Sequence, residues 1–289
     1  MRIRSLPRRV VRRGVREIRG VARRLQRAWE RQIRRRLLAG KFASTPFHWQ
    51  VRGGEAIVLM CLWNRRERLI DVLRQLDAQT GINGVRLYLW NNNRKDHGAY
   101  LKTLAGFTPT GALAAVDIVK SPYNLGSIAR FYWARKLSFD APESAVIVLD
   151  DDQDVPEDFV AVCLREYRPD RVSAFWAFRI DGTGYWDRDF AVVGGKVDHV
   201  GPGGMVCRLG LFQDPRFFTA MPERFWVLDD IWFTHFALRA GLRLAKLPVE
   251  VVFVLEETNQ HWTQGEMKRD FYDFLQVSSP LGPAPLESA

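Results

Sequence analysis

"VIVLDDDQDVPEDF", residues 146–159, runs four apolar residues straight into three consecutive aspartates. The apolar run reads as a buried strand. Carboxylates a few ångströms apart at its end raise one another's pKa and destabilise the folded state unless a cation or a hydrogen-bond network offsets the repulsion. The stretch therefore predicts a strand that carries a cation site at its carboxyl end. If the alternation of a strand persists, Asp150 and Asp152 face one side and Asp151 the other. Helix capping is the plainer alternative, with Asp154 as the cap and Pro156 in the first turn, but a cap needs one aspartate, not four. An EF-hand loop starting at Asp150 would want Gly at its sixth position and Glu at its twelfth, where the chain has Val155 and Ala161. Phosphatases with an aspartyl nucleophile place Asp-x-Asp after the first strand of their domain, whereas this strand is the fourth.

Working outward, "EAIVLMCLW" (55–63) reads as a strand and "RRERLIDVLRQLDAQT" (65–80) as a helix with Leu69, Val72, Leu73 and Leu76 on one face. "GVRLYLWNNN" (84–93) and "AAVDIVKS" (114–121) are further strands, "SIARFYWARKLSF" (127–139) a helix, and 144–152 the fourth strand. Strand and helix in alternation demand parallel pairing with crossover helices, an α/β sheet of nucleotide-binding type. Ligands of such sheets sit beyond the carboxyl ends of the strands, the edge occupied here by Asn64, Asn91 to Asn93 and Asp150 to Asp152. The second half is less regular: a strand at 172–180, a Gly-rich stretch at 193–206, a helix from Asp229 to Ala240, a strand at 250–256 and a final helix near 266–277. "SSPLGPAPLESA" (278–289) has the composition of a disordered end.

The 289 residues, 47 % hydrophobic, suffice for one large domain. The net charge of +10 is unevenly placed: residues 1–41 hold fifteen Arg and one Lys against Glu17 and Glu30, a net +14, which leaves −4 for the rest. Val11, Val15, Ile18, Leu25, Trp29 and Ile33 recur at helical spacing, so the arm reads as a basic amphipathic helix. An anionic membrane surface would satisfy both of its faces. Packing on the domain or on a second copy, and a cleaved transit peptide, are the alternatives. The absence of a binding module and the acidic remainder argue against nucleic acid. Cys61, Cys163 and Cys207 stand far apart without a CxxC pair, which favours a reducing compartment and argues against a zinc or disulfide framework. No apolar run is long enough to cross a bilayer, and the N-terminus lacks the apolar core of a secretory signal. The expected location is the cytoplasm, with peripheral membrane attachment through the arm. The expected division is an arm over 1–41, a domain over 42–278 with halves 55–152 and 153–278, and a tail over 279–289.

The succession "VLMCLWNRRERLIDVLRQLDAQT" (58–80), "LYLWNNN" (87–93), "SPYNLGSIARFYWARKL" (121–137), "VIVLDDD" (146–152), "GPGGMVCRLGLF" (201–212) and "LDDIWFTHFALRAGLRL" (228–244) resembles GT-A-fold glycosyltransferases of the family 2 type over roughly residues 55–262. The resemblance implies transfer of a sugar from a nucleotide-sugar (UDP-, dTDP- or GDP-linked) to a glycan or lipid-linked acceptor, with Mn²⁺ or Mg²⁺ held by the aspartates. It implies Asp152 as direct metal ligand, Asp150 on the ribose or a metal-bound water, and Asp151 beside the donor. Trp63, Asn64 and Arg65 match the family's first corner near the base, and Asn91 stands where the family usually has an Asp that receives uracil. In "NLGSIAR", Arg130 becomes a contact for base or diphosphate, and Gly203 and Gly204 in "GPGGM" bring the backbone close to the donor sugar. Asp230 takes the place of the general base, Asp229 that of its neighbour, and His261 that of an additional metal or phosphate contact. The Gln-x-x-Arg-Trp signature of processive synthases is absent, so one transfer per encounter is expected, and the resemblance with Asp230 as base implies inversion. The same motifs also resemble retaining exostosin-like transferases, and a non-catalytic nucleotide- or metal-binding adaptor is the reading from a different class.

Overall fold

A computed structural model describes residues 24–182, 184–254, 264–278 and 280–281. The chain divides into two compact units, Met1–Phe42 and Ala43–Ala289. In the first, residues 24–38 form helix α1, on which Ile33 and Leu37 are buried while Leu25 and Trp29 are exposed. The Arg36 guanidinium lies 5.1 Å from the Phe42 ring centroid. Val11, Val15 and Ile18 of the expected stripe lie outside the described residues.

The second unit is built on an eight-stranded sheet in the order β1-β4-β3-β2-β5-β11-β7-β12. These strands are β1 (Ser44–His48), β2 (Ala56–Leu62), β3 (Val85–Asn91), β4 (Leu113–Lys120), β5 (Ala145–Asp150), β7 (Arg171–Ala174), β11 (Met205–Arg208) and β12 (Arg243–Lys246). The central four, β4-β3-β2-β5, are mutually parallel, as strand–helix alternation predicts. β12 runs parallel to β7, and β1 and β11 pair antiparallel with their neighbours. Two small sheets complete the unit: β10-β8-β9, from His199–Val200, Ala177–Ile180 and Arg188–Phe190, and β13-β6, from Val252–Phe253 and Gln153–Asp154.

Because helices cover both faces of the central strands, both sides of each strand are apolar. On β3, Leu87 and Leu89 join one core with α2 (Leu69–Asp77), α3 (His97–Gly106) and α5 (Phe159–Glu166). The alternate residues Tyr88 and Trp90 meet Trp133 and Tyr132 of α4 (Phe131–Ser138), at 4.9 and 5.1 Å between ring centroids. On that side Phe131 stacks on Phe233 of α7 (Asp229–Arg239) and contacts Phe217 of α6 (Arg216–Thr219) edge-on. A final helix, α8 (Gly265–Val277), packs Phe271 on Phe225 at 4.1 Å. This is the mixed α/β arrangement expected of a GT-A-like fold.

Several local expectations need correction. The segment 172–180 is two strands in different sheets, because the Phe175 amide still bonds to the Gly204 carbonyl while the Ala177 amide turns back to the Phe175 carbonyl. Asp154 does not cap a helix; α5 starts at Phe159, and Asp154 receives Arg68 and the Gln75 amide instead. The alternation also stops at Asp150, where β5 ends, so Asp151 and Asp152 lie in a turn. In the expected strand at 250–256 only Val252–Phe253 pairs, with β6, and residues 255 and 256 lie outside the described residues.

Candidate active site

Parallel pairing brings the ends of β2, β3 and β5 to one edge: Cys61 is in register with Asp150, and Leu62 with Asn91. Beyond that edge lies a cavity of ≈ 510 Å³, lined among others by Trp63, Arg65, Arg130, Asp150, Asp151, Asp152, Gly203, Asp229 and Asp230. Asn64 takes a left-handed conformation (φ 58°) at the corner after β2, which asparagine tolerates better than most residues, and accepts a 2.6 Å hydrogen bond from Asn93 Nδ2.

Four carboxylates share two guanidiniums here. Arg65 bridges Asp151 at 2.5 Å and Asp152 at 3.1 Å. Arg130, buried, pairs with Asp150 through Nη1, and its Nε lies 3.3 Å from Asp229 Oδ2. Two negative charges are left over, and the protonation equilibria register it. Burial, with repulsion from neighbouring aspartates, pushes Asp151 up to about 7 and Asp152 up to about 6 against the pull of Arg65. Burial likewise raises Asp229 to about 6 despite Arg130, and its Oδ2 lacks a well-aligned hydrogen-bond donor.

Asp230 behaves oppositely. Burial acts to raise it, but Lys268 Nζ at 2.8 Å holds it well below the usual carboxylate range. The Tyr185 hydroxyl donates a second bond to Asp230 at 3.1 Å and lies 3.4 Å from His199 Nε2. His199 is buried and pushed down to about 3, so it is neutral near pH 7. The acidic pair at the start of α7 therefore splits: Asp229 is the more basic member, and Asp230 the more firmly held.

Gly203 is needed for a reason the motif does not reveal. A Cβ there would come within 2.2 Å of Asp150 Oδ2 and 2.7 Å of Gln153 Nε2. Gly204 serves the sheet: it adopts φ 80° and its amide bonds to the Val148 carbonyl of β5. Gly204, Asn64 and Asn91 do not line the cavity. Asn91 is fully buried, its Oδ1 accepting from the Asn93 amide and its Nδ2 lying 3.3 Å from His97 Nδ1. Asn92 lines the cavity in its place, but its amide is engaged with the Gly126 carbonyl and the Leu125 amide. His261 lies outside the described residues.

Lys268, Tyr185, His199 and Arg188 escaped the sequence reading. The run of Tyr185 and Trp186 beside glycines was the one local signal, and Lys268 sits in an ordinary amphipathic helix.

The hard oxygen donors and the two uncompensated charges suit a divalent cation held by Asp150 and Asp152. Among the described residues no three His, Cys, Asp or Glu side chains form a ready-made metal cage, so further ligands would come from a bound substrate.

The fold is that of a mixed α/β protein, consistent with a GT-A-like fold. No family model matches the chain, and no curated protein matches it. Among solved structures, that of S. aureus TarS is similar with a TM-score of 0.43 and 14 % identity, over 67 % of this chain and 35 % of that one. A structure of S. aureus TarS 1-349 has a TM-score of 0.47 and 15 % identity, over 67 % and 58 %. The chain thus spans between about a third and three-fifths of these structures, and the likeness concerns the fold alone.

Proposed function

We propose that this protein is a cation-dependent, inverting glycosyltransferase that uses a nucleotide-sugar donor. The observation that carries the reading is the cavity at the carboxyl edge of the parallel strands, where Asp150, Asp151, Asp152 and Asp229 meet two arginines beside Asp230. The order of motifs along the chain, which resembles the family 2 type, supports the same reading.

Asp152 and Asp150 would hold Mg²⁺ or Mn²⁺, which when bound supplies Lewis-acid stabilisation of the leaving diphosphate. Arg65 and Arg130 keep the aspartates in place and offer guanidinium donors to phosphate oxygens. Trp63 presents a ring at the mouth of β2 for the base. On the acceptor side, Asp229 has the proton affinity to accept the hydroxyl proton, since its value near 6 matches a base working at neutral pH. Asp230, fixed by Lys268 and Tyr185, orients the acceptor.

A panel of nucleotide-sugars screened for thermal stabilisation with and without Mn²⁺ tests the proposal. At least one donor should stabilise the protein in an Mn²⁺-dependent way, and Asp152→Asn should remove the Mn²⁺-dependent part. With that donor, Asp229→Asn should lower turnover by roughly a hundred- to ten-thousand-fold and abolish the acidic limb of the pH–rate profile, which Asp230→Asn should retain. An α-linked donor should give a β-linked product. Absence of stabilisation by any nucleotide-sugar in the presence of Mn²⁺ would refute the proposal, and an α-linked product would refute inversion.

A further inference from the structure

The cavity is electrically two-ended. At the strand edge, Asp150, Asp151, Asp152 and Asp229 outnumber Arg65 and Arg130. The part of the lining drawn from β8, β9, α8 and Asp230 of α7 has the reverse balance among the described residues: Asp230 is matched by Lys268, and Arg188 is in excess.

Arg188 is held unusually. Its guanidinium carbon lies 4.3 Å from the ring centroid of Phe178, 4.1 Å from Tyr185 and 5.1 Å from Trp186. Among the described residues it makes no ion pair, and its buried Nη1 has no hydrogen-bond acceptor. Among the described residues, the nearby carboxylates are turned elsewhere. Asp181 pairs with Arg179, Asp198 with Lys196, and Asp187 accepts from the Gly184 amide; neither these nor Asp189 line the cavity. Three rings thus fix the plane of a half-buried guanidinium that, among the described residues, lacks an anion and is set to make a charge-assisted bond.

Next to it stands an exposed ring. Trp186 is 46 % exposed and lines the same cavity, yet it is pinned by donation from its Nε1 to the Gly265 carbonyl at 3.3 Å. A fixed indole with a free apolar face suits the C–H face of a pyranose, with polar groups at its margin setting orientation. Tyr185, which joins Arg188 to Asp230, ties this corner to the start of α7 through Asp230 rather than to the aspartate turn.

We propose that Trp186 and Arg188 form the acceptor subsite and that the acceptor is an anionic sugar, its ring lying on Trp186 and its carboxylate or phosphate held by the Arg188 guanidinium. The inference rests on the glycosyl-transfer reading of the cavity and assigns the donor to the aspartate end.

Saturation-transfer NMR titrations of the full chain test it with three probes: methyl β-glucuronide, glucose 6-phosphate and methyl β-glucoside. At least one anionic probe should bind roughly tenfold or more tightly than the neutral glucoside, and which one does so separates carboxylate from phosphate. Arg188→Gln should erase that preference, Arg188→Lys should keep part of it, and Trp186→Ala, at an exposed ring, should weaken all three probes alike. Equal binding of anionic and neutral probes, or a preference that survives Arg188→Gln, overturns the proposal. So does displacement of the anionic probe by UDP, GDP or dTDP with Mn²⁺, because Arg188 would then serve the donor diphosphate. Nucleotide binding without anion preference would leave the glycosyl-transfer reading intact and remove only this subsite; anion preference without nucleotide binding would do the opposite.

Discussion

Gly203→Ala offers a sharp test of the aspartate turn, because the clash it creates is almost wholly with one side chain. The new Cβ would stand 2.2 Å from Asp150 Oδ2 and 3.0 Å from its Cγ; the other close atom, Gln153 Nε2 at 2.7 Å, ends a flexible side chain that can yield. Relief to ordinary contact requires the carboxylate to move by about 1 Å. That motion draws Asp150 away from buried Arg130, and the Asp150 side chain is 33 % exposed, so solvent screening places the loss at the low end for a charged hydrogen bond. With overpacking included, about 2 kcal/mol is expected, or a fall in Tm of about 4–8 °C for a body of this size. Chemical denaturation followed by fluorescence of the ten tryptophans reads the change. Repeating the substitution in an Asp150→Ala background isolates its cause. The penalty should drop to within about 0.5 kcal/mol of zero there. An equal penalty in both backgrounds, or none in the wild type, would refute the placement of Asp150.

Two further outcomes follow from the pKa shifts. Lys268→Met should destabilise the protein most near neutral pH. The folded-state value of Asp230 is depressed by Lys268, so the stability this pair supplies is present above the unfolded value and lost as pH falls through the folded one. The difference from wild type, read as Tm, should therefore shrink below about pH 4, and a pH-independent difference would refute the pairing. Asp151→Asn should act with the opposite sign. Burial raises Asp151 to about 7, so wild type loses stability as pH rises from the unfolded value through that point, and the variant escapes the loss. Its Tm relative to wild type should rise between pH 4.5 and 8; a flat or falling difference would refute the shift.

The parts of the fold that could be read from the chain are those where packing acts on both faces of an element. β2 to β5 show as unbroken apolar runs because α2, α3 and α5 cover one side and α4 the other. β1 was not legible: it is a largely exposed edge strand containing Pro46, a residue edges accept because no ladder amide is needed there. Nor was α3, whose buried positions reduce to His97, Tyr100 and Leu104 between glycines. In the cavity, the aspartate turn, Arg65, Arg130 and the acidic pair were visible as motifs because charge beside apolar runs stands out. The motif around Asn91 placed it at the correct strand end, but the local hydrogen bonds that turn its amide inward left no mark in the sequence. Lys268 and Arg188 were illegible for a different reason: their significance lies in Asp230 and in three rings brought to them by folding.

Arg130 has a consequence for how this chain can vary. One buried guanidinium answers both Asp150, which closes the fourth central strand, and Asp229, which opens α7, so two distant positions draw on a single positive charge. Neutralising Asp150 hands Asp229 a larger share of that charge and lowers its proton affinity. The two positions are therefore bound to drift together: a substitution tolerated at 150 redefines what is tolerable at 229, and a tally of single-site effects would misjudge the pair.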